Sequence, residues 1–296
     1  MPRFLNTWTG EFEWHHDAER VVYAILSHTW RSPKDGGEQT YADVLKLQAA
    51  VKKSRRNTQP SVSTTSSSKF NDRGTIFAHP ELSEKIKGAC KIVRDAGFHL
   101  IWIDSCCIDK SSSAELAEAI NSMFKWYKLS KVCYVFLEDV PGRCENAKDQ
   151  AARFRKSRWH TRSWTLQELV APTRVQFYAR CWCFLGTKEG LAKTLEKATG
   201  VHIDILTGRA AVESASVAQR LSWAVKRRAT RVEDEAYSLM GLFGVYMTLI
   251  YGEGKNAFLR LQEEIAKANP DQTQLVWAAE NDPHALVEYG APPPDA

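Results

Sequence analysis

Three short, almost wholly apolar runs constrain this chain more than any other feature: Val21–Leu26, Leu100–Ile103 and Val132–Leu137. Continuous runs of this length, rich in β-branched residues, are what strands buried on both faces require. The stretches between them carry helical periodicity. A helix is expected over 41–51. A second runs from Pro80 to Gly97, with Ile86, Ala89, Cys90 and Val93 as its apolar stripe and Gly97 as its stop. A third begins at Ser112, where Ser112 and Glu115 have capping-box spacing. Leu116, Ile120, Met123, Phe124 and Tyr127 then give it one apolar face. Strand, helix, strand, helix, strand at this spacing predicts an α/β fold with a doubly wound, mainly parallel sheet. A fourth strand is expected over Val175–Tyr178, and residues 187–268 read as a mostly helical C-terminal extension.

The expected organisation is one domain over 1–186, the extension over 187–268, and a disordered tail over 269–296 that contains Pro292-Pro293-Pro294. Residues 52–75 are dominated by Ser, Thr, Asn and Gln and read as a flexible insertion in a surface loop. The net charge of +5 is mild, and part of it sits in Lys52-Lys53-Ser54-Arg55-Arg56, read as a solvated loop. No nucleic-acid partner is expected from it, and no apolar run approaches a membrane span. Met1–Asn6 lacks the apolar segment of a secretory signal. The seven cysteines follow no disulfide or zinc spacing, so they read as reduced thiols in a cytoplasmic protein with no metal site.

In a doubly wound sheet, ligands bind beyond the carboxyl ends of the strands. The polar residues there are Ser27 and His28, Asp104 and Ser105, and Glu138 and Asp139. His28 reads equally as a ligand contact or a locally bonded loop histidine, and Asp104 as a ribose contact or a cap. A short helix is expected over 162–170. On a helical wheel Leu166, Leu169 and Val170 form one side, and Trp164 and Glu168 share the other. An indole beside a carboxylate raises its pKa toward the range of useful acid–base chemistry, whereas Arg162 would lower it or bind phosphate. A solvated surface glutamate is the plain alternative. Trp102 and Trp126 read as core. Glu233, Asp234 and Glu235 read as a solvated helix start. Cys106 lacks an evident histidine partner, which argues against a cysteine hydrolase.

Several ordered blocks resemble the fungal HET (heterokaryon incompatibility) domain family. They are Tyr23-Ala24-Ile25-Leu26-Ser27-His28-Thr29-Trp30, Trp102-Ile103-Asp104-Ser105-Cys106-Cys107-Ile108-Asp109, and Arg162-Ser163-Trp164-Thr165-Leu166-Gln167-Glu168-Leu169-Val170-Ala171-Pro172. The segments Ala119–Tyr127, Arg231–Gly241 and Tyr251–Gly254 fit as well. Ser163 stands where the family often has Gly, and Thr248 where Pro is usual. The family is in turn similar to TIR domains, whose Ser-x-Trp-Cys-x-x-Glu-Leu pattern resembles Ser163–Leu169 in its Trp-to-Glu spacing. The resemblance implies a TIR- or flavodoxin-like sheet and a cell-death effector of innate-immunity type. It implies an NAD glycohydrolase with Glu168 catalytic and Ser27, His28, Trp30, Asp104, Ser105, Arg162 and Trp164 binding the substrate. NAD would be consumed and not held as a cofactor. Self-association, and contacts with other incompatibility or NLR-type proteins, are the implied partnerships. A non-catalytic adaptor acting through domain–domain contacts is the alternative.

Overall fold

A computed structural model describes residues 1–57, 72, 74–142 and 147–268. Most of the expected 52–75 insertion and all of the 269–296 tail lie outside the described residues.

Seven strands form one mixed sheet: β1 (Arg3–Asn6), β2 (Phe12–Trp14), β3 (Ala24–His28), β4 (Leu100–Trp102), β5 (Val132–Leu137), β6 (Val175–Ala179) and β7 (Phe184–Thr187). Their order is β2-β1-β4-β3-β5-β6-β7. The central four, β4-β3-β5-β6, are parallel. The antiparallel β1 and β7 close the two sides, and β2 pairs outside β1. The three apolar runs and the Val175 run thus form the parallel centre. The flanking strands are only three or four residues long, too short for periodicity to reveal them.

The helices up to the middle of the chain are α1 (Tyr41–Asn57), α2 (Glu84–Asp95), α3 (Ser113–Leu129), α4 (Ala147–Arg155) and α5 (Thr165–Val170). After the sheet come α6 (Ala192–Thr199), α7 (Ile203–Leu206), α8 (Val217–Ser222), α9 (Asp234–Tyr237), α10 (Met240–Phe243) and α11 (Asn256–Ala268). From β3 the chain crosses by α1 and α2 to β4 on one side, then by α3 to β5 on the other. Right-handed crossovers in opposite directions put α2 and α3 on opposite faces of the sheet. The direction reverses between β3 and β5, a topological switch point of the kind at which open α/β sheets bind ligands.

Side chains alternate along β3, so Ser27 and His28 face opposite layers. Register confirms it. Ile25 lies opposite Trp102 and Cys133, under α3 and α5, whereas His28 lies opposite Phe136, under α2. Trp102, fully buried, packs edge-on against Trp126 (5.5 Å) and Tyr127 (6.0 Å) from α3. Both tryptophans are therefore core. α1 extends through Lys52–Arg56, so this basic run is the end of a helix and not a loop. Cations there complement the negative end of the helix dipole.

The expectation of reduced thiols needs correction. Cys181 and Cys183 form a disulfide. In a strand their Cα atoms would stand about 6.6 Å apart. Here the chain turns at Trp182, whose φ of 58° is left-handed, and the Cα atoms approach to 5.3 Å. Cysteine usage therefore no longer argues for a reducing compartment. No helix among the described residues is long and apolar enough to cross a membrane.

One glycine is set by packing. A Cβ on Gly241 of α10 would lie 2.1 Å from Cβ of Phe124 on α3, an atom that cannot rotate away. Gly241→Ala is expected to destabilise the protein by about 2 kcal/mol, overpacking outweighing the helix propensity of alanine. A denaturation midpoint equal to or above that of the unmodified protein would refute this close approach.

Candidate functional site

Glu168 sits in α5, a two-turn helix in which all six residues are buried. The wheel placed Glu168 with Trp164 on a face turned from the core. The structure corrects this: Glu168 is only 4% exposed and points to the end of β3. So short a helix is enclosed on every side, by β3, α3 and the chain after α7, so it has no solvent face. Ser27 Oγ donates to Glu168 Oε2 at 2.5 Å, and Trp159 Nε1 donates to Ser27 Oγ at 2.8 Å. The Tyr127 hydroxyl lies close enough to act on the carboxyl and donates its proton to Leu26 O at 2.9 Å. Burial pushes Glu168 up to about 8; the Asp104 charge adds to this, and the Ser27 and Tyr127 hydroxyls oppose it.

The indole that shelters Glu168 is thus Trp159, which packs edge-on over Phe177 of β6 at 5.7 Å. Trp164 lies instead near Asp234, which accepts from the Tyr251 hydroxyl at 2.9 Å. Arg162 reaches Thr230 Oγ1 at 3.3 Å, and its charge acts on Glu168 at longer range.

On the opposite layer a second polar group surrounds His28. Its Nε2 lies 2.9 Å from Asp104 Oδ1, and Trp30 Nε1 donates to Asp104 Oδ2 at 2.8 Å. Lys85 Nζ approaches His28 Nδ1 at 3.2 Å and donates to Glu38 Oε2 at 2.6 Å. A lysine donating to Nδ1 leaves the proton on Nε2, so the network assigns the Nε2–H tautomer, donating to Asp104. Burial opposes the Asp104 charge, yet the His28 partner and Lys110 outweigh it and hold the carboxyl below its usual range. Lys110 Nζ stands 3.9 Å over the Trp30 ring and donates to the carbonyls of Asp104 and Ser105, both at 3.0 Å. Ser105 is buried, and its Oγ has no partner among the described residues.

The expected site residues therefore fall into three sets. Ser27 joins Glu168. His28, Trp30 and Asp104 join one another across β3 and β4, with Ser105 beside them. Arg162 and Trp164 face the segment from Arg227 to Tyr251. Asp104 links the first two sets, because it bonds His28 Nε2 and its charge acts on Glu168. Glu138 is bound by Arg31 (2.5 Å) and Arg158 (3.1 Å), and Asp139 accepts from Ser157 Oγ and Arg158 N. Cys106 has a thiol raised well above its usual range, first by its contact with Cys107 and then by burial, which keeps it neutral and unreactive. Glu233 is not solvated: its Oε1 accepts from Gly252 N (2.8 Å) and Gly254 N (3.2 Å).

Sequence reasoning missed Tyr127, Trp159, Lys85, Glu38 and Lys110. Lys85 carried a signal, since it precedes Ala89 by one turn and so lies on the apolar stripe of α2. A cation on such a stripe needs a buried partner.

Residues 23–143 match the family model described as heterokaryon incompatibility protein (HET). The chain is 40% identical over 249 residues to the vegetative incompatibility protein HET-E-1 of Podospora anserina. That alignment covers 83% of this chain and 16% of the relative, so the chain spans about a sixth of the relative's length. No solved structure matches. The Ser27–Trp30 and Asp104–Ser105 blocks at the ends of the first two parallel strands lie within this match, which identifies residues 23–143 as a heterokaryon incompatibility (HET) domain.

Proposed function

We propose that this chain acts in heterokaryon incompatibility as a cell-death effector, cleaving the glycosidic bond between nicotinamide and ribose in NAD after self-association. The reading extends the similarity to TIR domains, with Glu168 as the catalytic carboxylate. Water would add at the ribose C1′ as the C1′–N bond breaks, giving nicotinamide, ADP-ribose and a proton. The leaving group is a pyridinium and needs no general acid. The protein's task is to steady the oxocarbenium-like ribose, which a single carboxylate can do.

The observation that carries this reading is a desolvated carboxyl at the switch point of a mainly parallel sheet, hydrogen-bonded by Ser27. With its pKa at about 8, Glu168 is roughly nine-tenths protonated at pH 7. A pyridinium cation brought against it favours the ionised form, so the substrate itself charges the group that acts on it. This reading assigns the base to Trp30 and the ribose hydroxyls to Asp104, both at the neighbouring strand ends.

A non-catalytic adaptor is the second reading. The enclosure of Glu168, whose hydrogen bonds are all made within the protein, favours it. Under the enzyme reading the site must open, and self-association is the step assigned to that opening. Purified protein incubated with NAD at rising protein concentration is expected to release nicotinamide, measured by chromatography, with a rate that climbs faster than linearly. Intact NAD at every concentration would leave the adaptor as the function.

A further inference from the structure

The turn that delivers Glu168 is held by a segment some sixty residues downstream. Arg228 N donates to Thr161 O at 2.7 Å, and Ser163 N donates to Arg228 O at 3.0 Å. Arg162 and Arg228 thereby form an isolated parallel bridge. Arg227 is the centre of the contact. Its Nη1 donates to Arg162 O and to Thr165 Oγ1, both at 3.0 Å, and its Nε donates to Trp223 O at 3.1 Å. Thr165 is the first residue of α5, one helical turn before Glu168. Asp234 of the same segment lies close enough to Trp164 for the indole to act on its carboxyl.

Arg227 is 2% exposed, and its Nη2 has no partner among the described residues. None of its hydrogen bonds reaches a carboxylate. A guanidinium sealed from water with only neutral acceptors needs a counter-charge. Glu168, once ionised, is the anion whose field offsets the burial of Arg227. The other charged or titratable groups acting on Glu168 are Asp104 from the end of β4, Tyr127 from α3 and Arg162. Cys133 on β5 lies against it as well, its thiol bonded to Glu168 O. His160 is the further group acting with Arg227, and its Nδ1 is likewise buried and without a partner among the described residues.

We propose that Arg227 is a positioning residue for Glu168: it fixes the start of α5 and supplies the counter-charge that an ionised Glu168 requires. The inference rests on the catalytic reading of Glu168 for its consequence but not for its test. Under it, the chain after the sheet does more than cover a face, because a site residue is held from there.

Arg227→Met and Arg227→Lys, with Asp234→Asn as a weaker probe of the same turn, form the experiment. Three readouts apply to each: the pH profile of nicotinamide release, hydrogen exchange over residues 161–170, and the titration of Glu168 by carbon NMR of labelled carboxyls. Arg227→Met is expected to raise the Glu168 midpoint by about one pH unit or more and to slow release at pH 7 about tenfold. Exchange over 161–170 should quicken. Arg227→Lys keeps the cation but not the planar fork. It should quicken exchange while moving the midpoint by less than half as much. A folded Arg227→Met with an unmoved midpoint and unmoved exchange overturns the proposal. If Arg227→Met does not fold, Arg227→Lys decides, and unchanged exchange in it overturns the proposal too. Should the unmodified protein release no nicotinamide, the enzyme reading falls while the carboxyl midpoint still tests Arg227.

Discussion

Glu168→Gln is expected to lower nicotinamide release by about 10²–10³-fold or more while leaving the protein folded. Glutamine keeps the size of the side chain and can still accept from Ser27 Oγ, whose 2.5 Å contact fixes the carboxyl. It cannot carry the negative charge that faces the ribosyl cation. Because the neutral acid already prevails near pH 7, the substitution removes little that the resting fold depends on. Killing in cells should be lost together with turnover. The decisive measurement is the pair of progress curves for the two proteins, with circular dichroism to show equal folding. Equal rates, or killing that persists without turnover, would remove Glu168 from any catalytic role and favour the adaptor.

The stability of the protein should fall as pH rises from about 6.5 to 8, by about 2 kcal/mol. Two buried groups set this window with opposite signs. Glu168 has a folded pKa raised to about 8, so its favourable contribution is complete below the carboxyl's unfolded value and is lost as pH rises toward 8. His160 has a folded pKa lowered to about 4, chiefly by burial and then by the Arg227 charge. Its contribution is complete above the imidazole's unfolded value and is lost as pH falls toward 4. Between the unfolded carboxyl and imidazole values the two slopes cancel. Above the imidazole value the loss from Glu168 dominates, opposed only near pH 8 by Lys188, whose pKa burial lowers to about 8, and stability declines. Urea midpoints across this range should therefore drop for the unmodified protein and stay level for Glu168→Gln. A level profile for both would mean that Glu168 is ionised in the fold, as a well-solvated carboxylate would be.

Much of the parallel centre could be read directly from the chain. Ala24–Leu26, Leu100–Trp102 and Val132–Leu137 have no polar face to turn to water and became strands covered on both sides, whereas Val21–Tyr23 lie before β3 and leave Val22 exposed. The capping serine Ser112 and the stripe of Ile86, Ala89, Cys90 and Val93 likewise announced helices between them. The boundaries moved for a physical reason. β3 runs on through Ser27 and His28 because their backbones pair with β5, and backbone pairing takes no account of side-chain polarity. The edge strands β1, β2 and β7 carried no such signal. Their hydrogen bonds, and not their short side-chain patterns, define them.

The chain by itself determined the order of apolar strands and helices, and with it the line of polar residues at the strand ends that includes Ser27, His28 and Asp104. Glu168 was singled out by the resemblance to HET and TIR domains and not by its helical wheel. What only the tertiary structure decided is who meets whom. Alternation along β3 sends Ser27 and His28 to opposite layers. Enclosure of α5 puts Glu168 under Trp159 and Tyr127 instead of beside Trp164. A turn at Trp182 brings two cysteines within bonding distance, and Arg227 reaches the start of α5 across sixty-five residues of sequence. Periodicity reports the local balance of apolar and polar faces. Contacts between residues distant in sequence depend on how whole layers stack, and no local pattern encodes that.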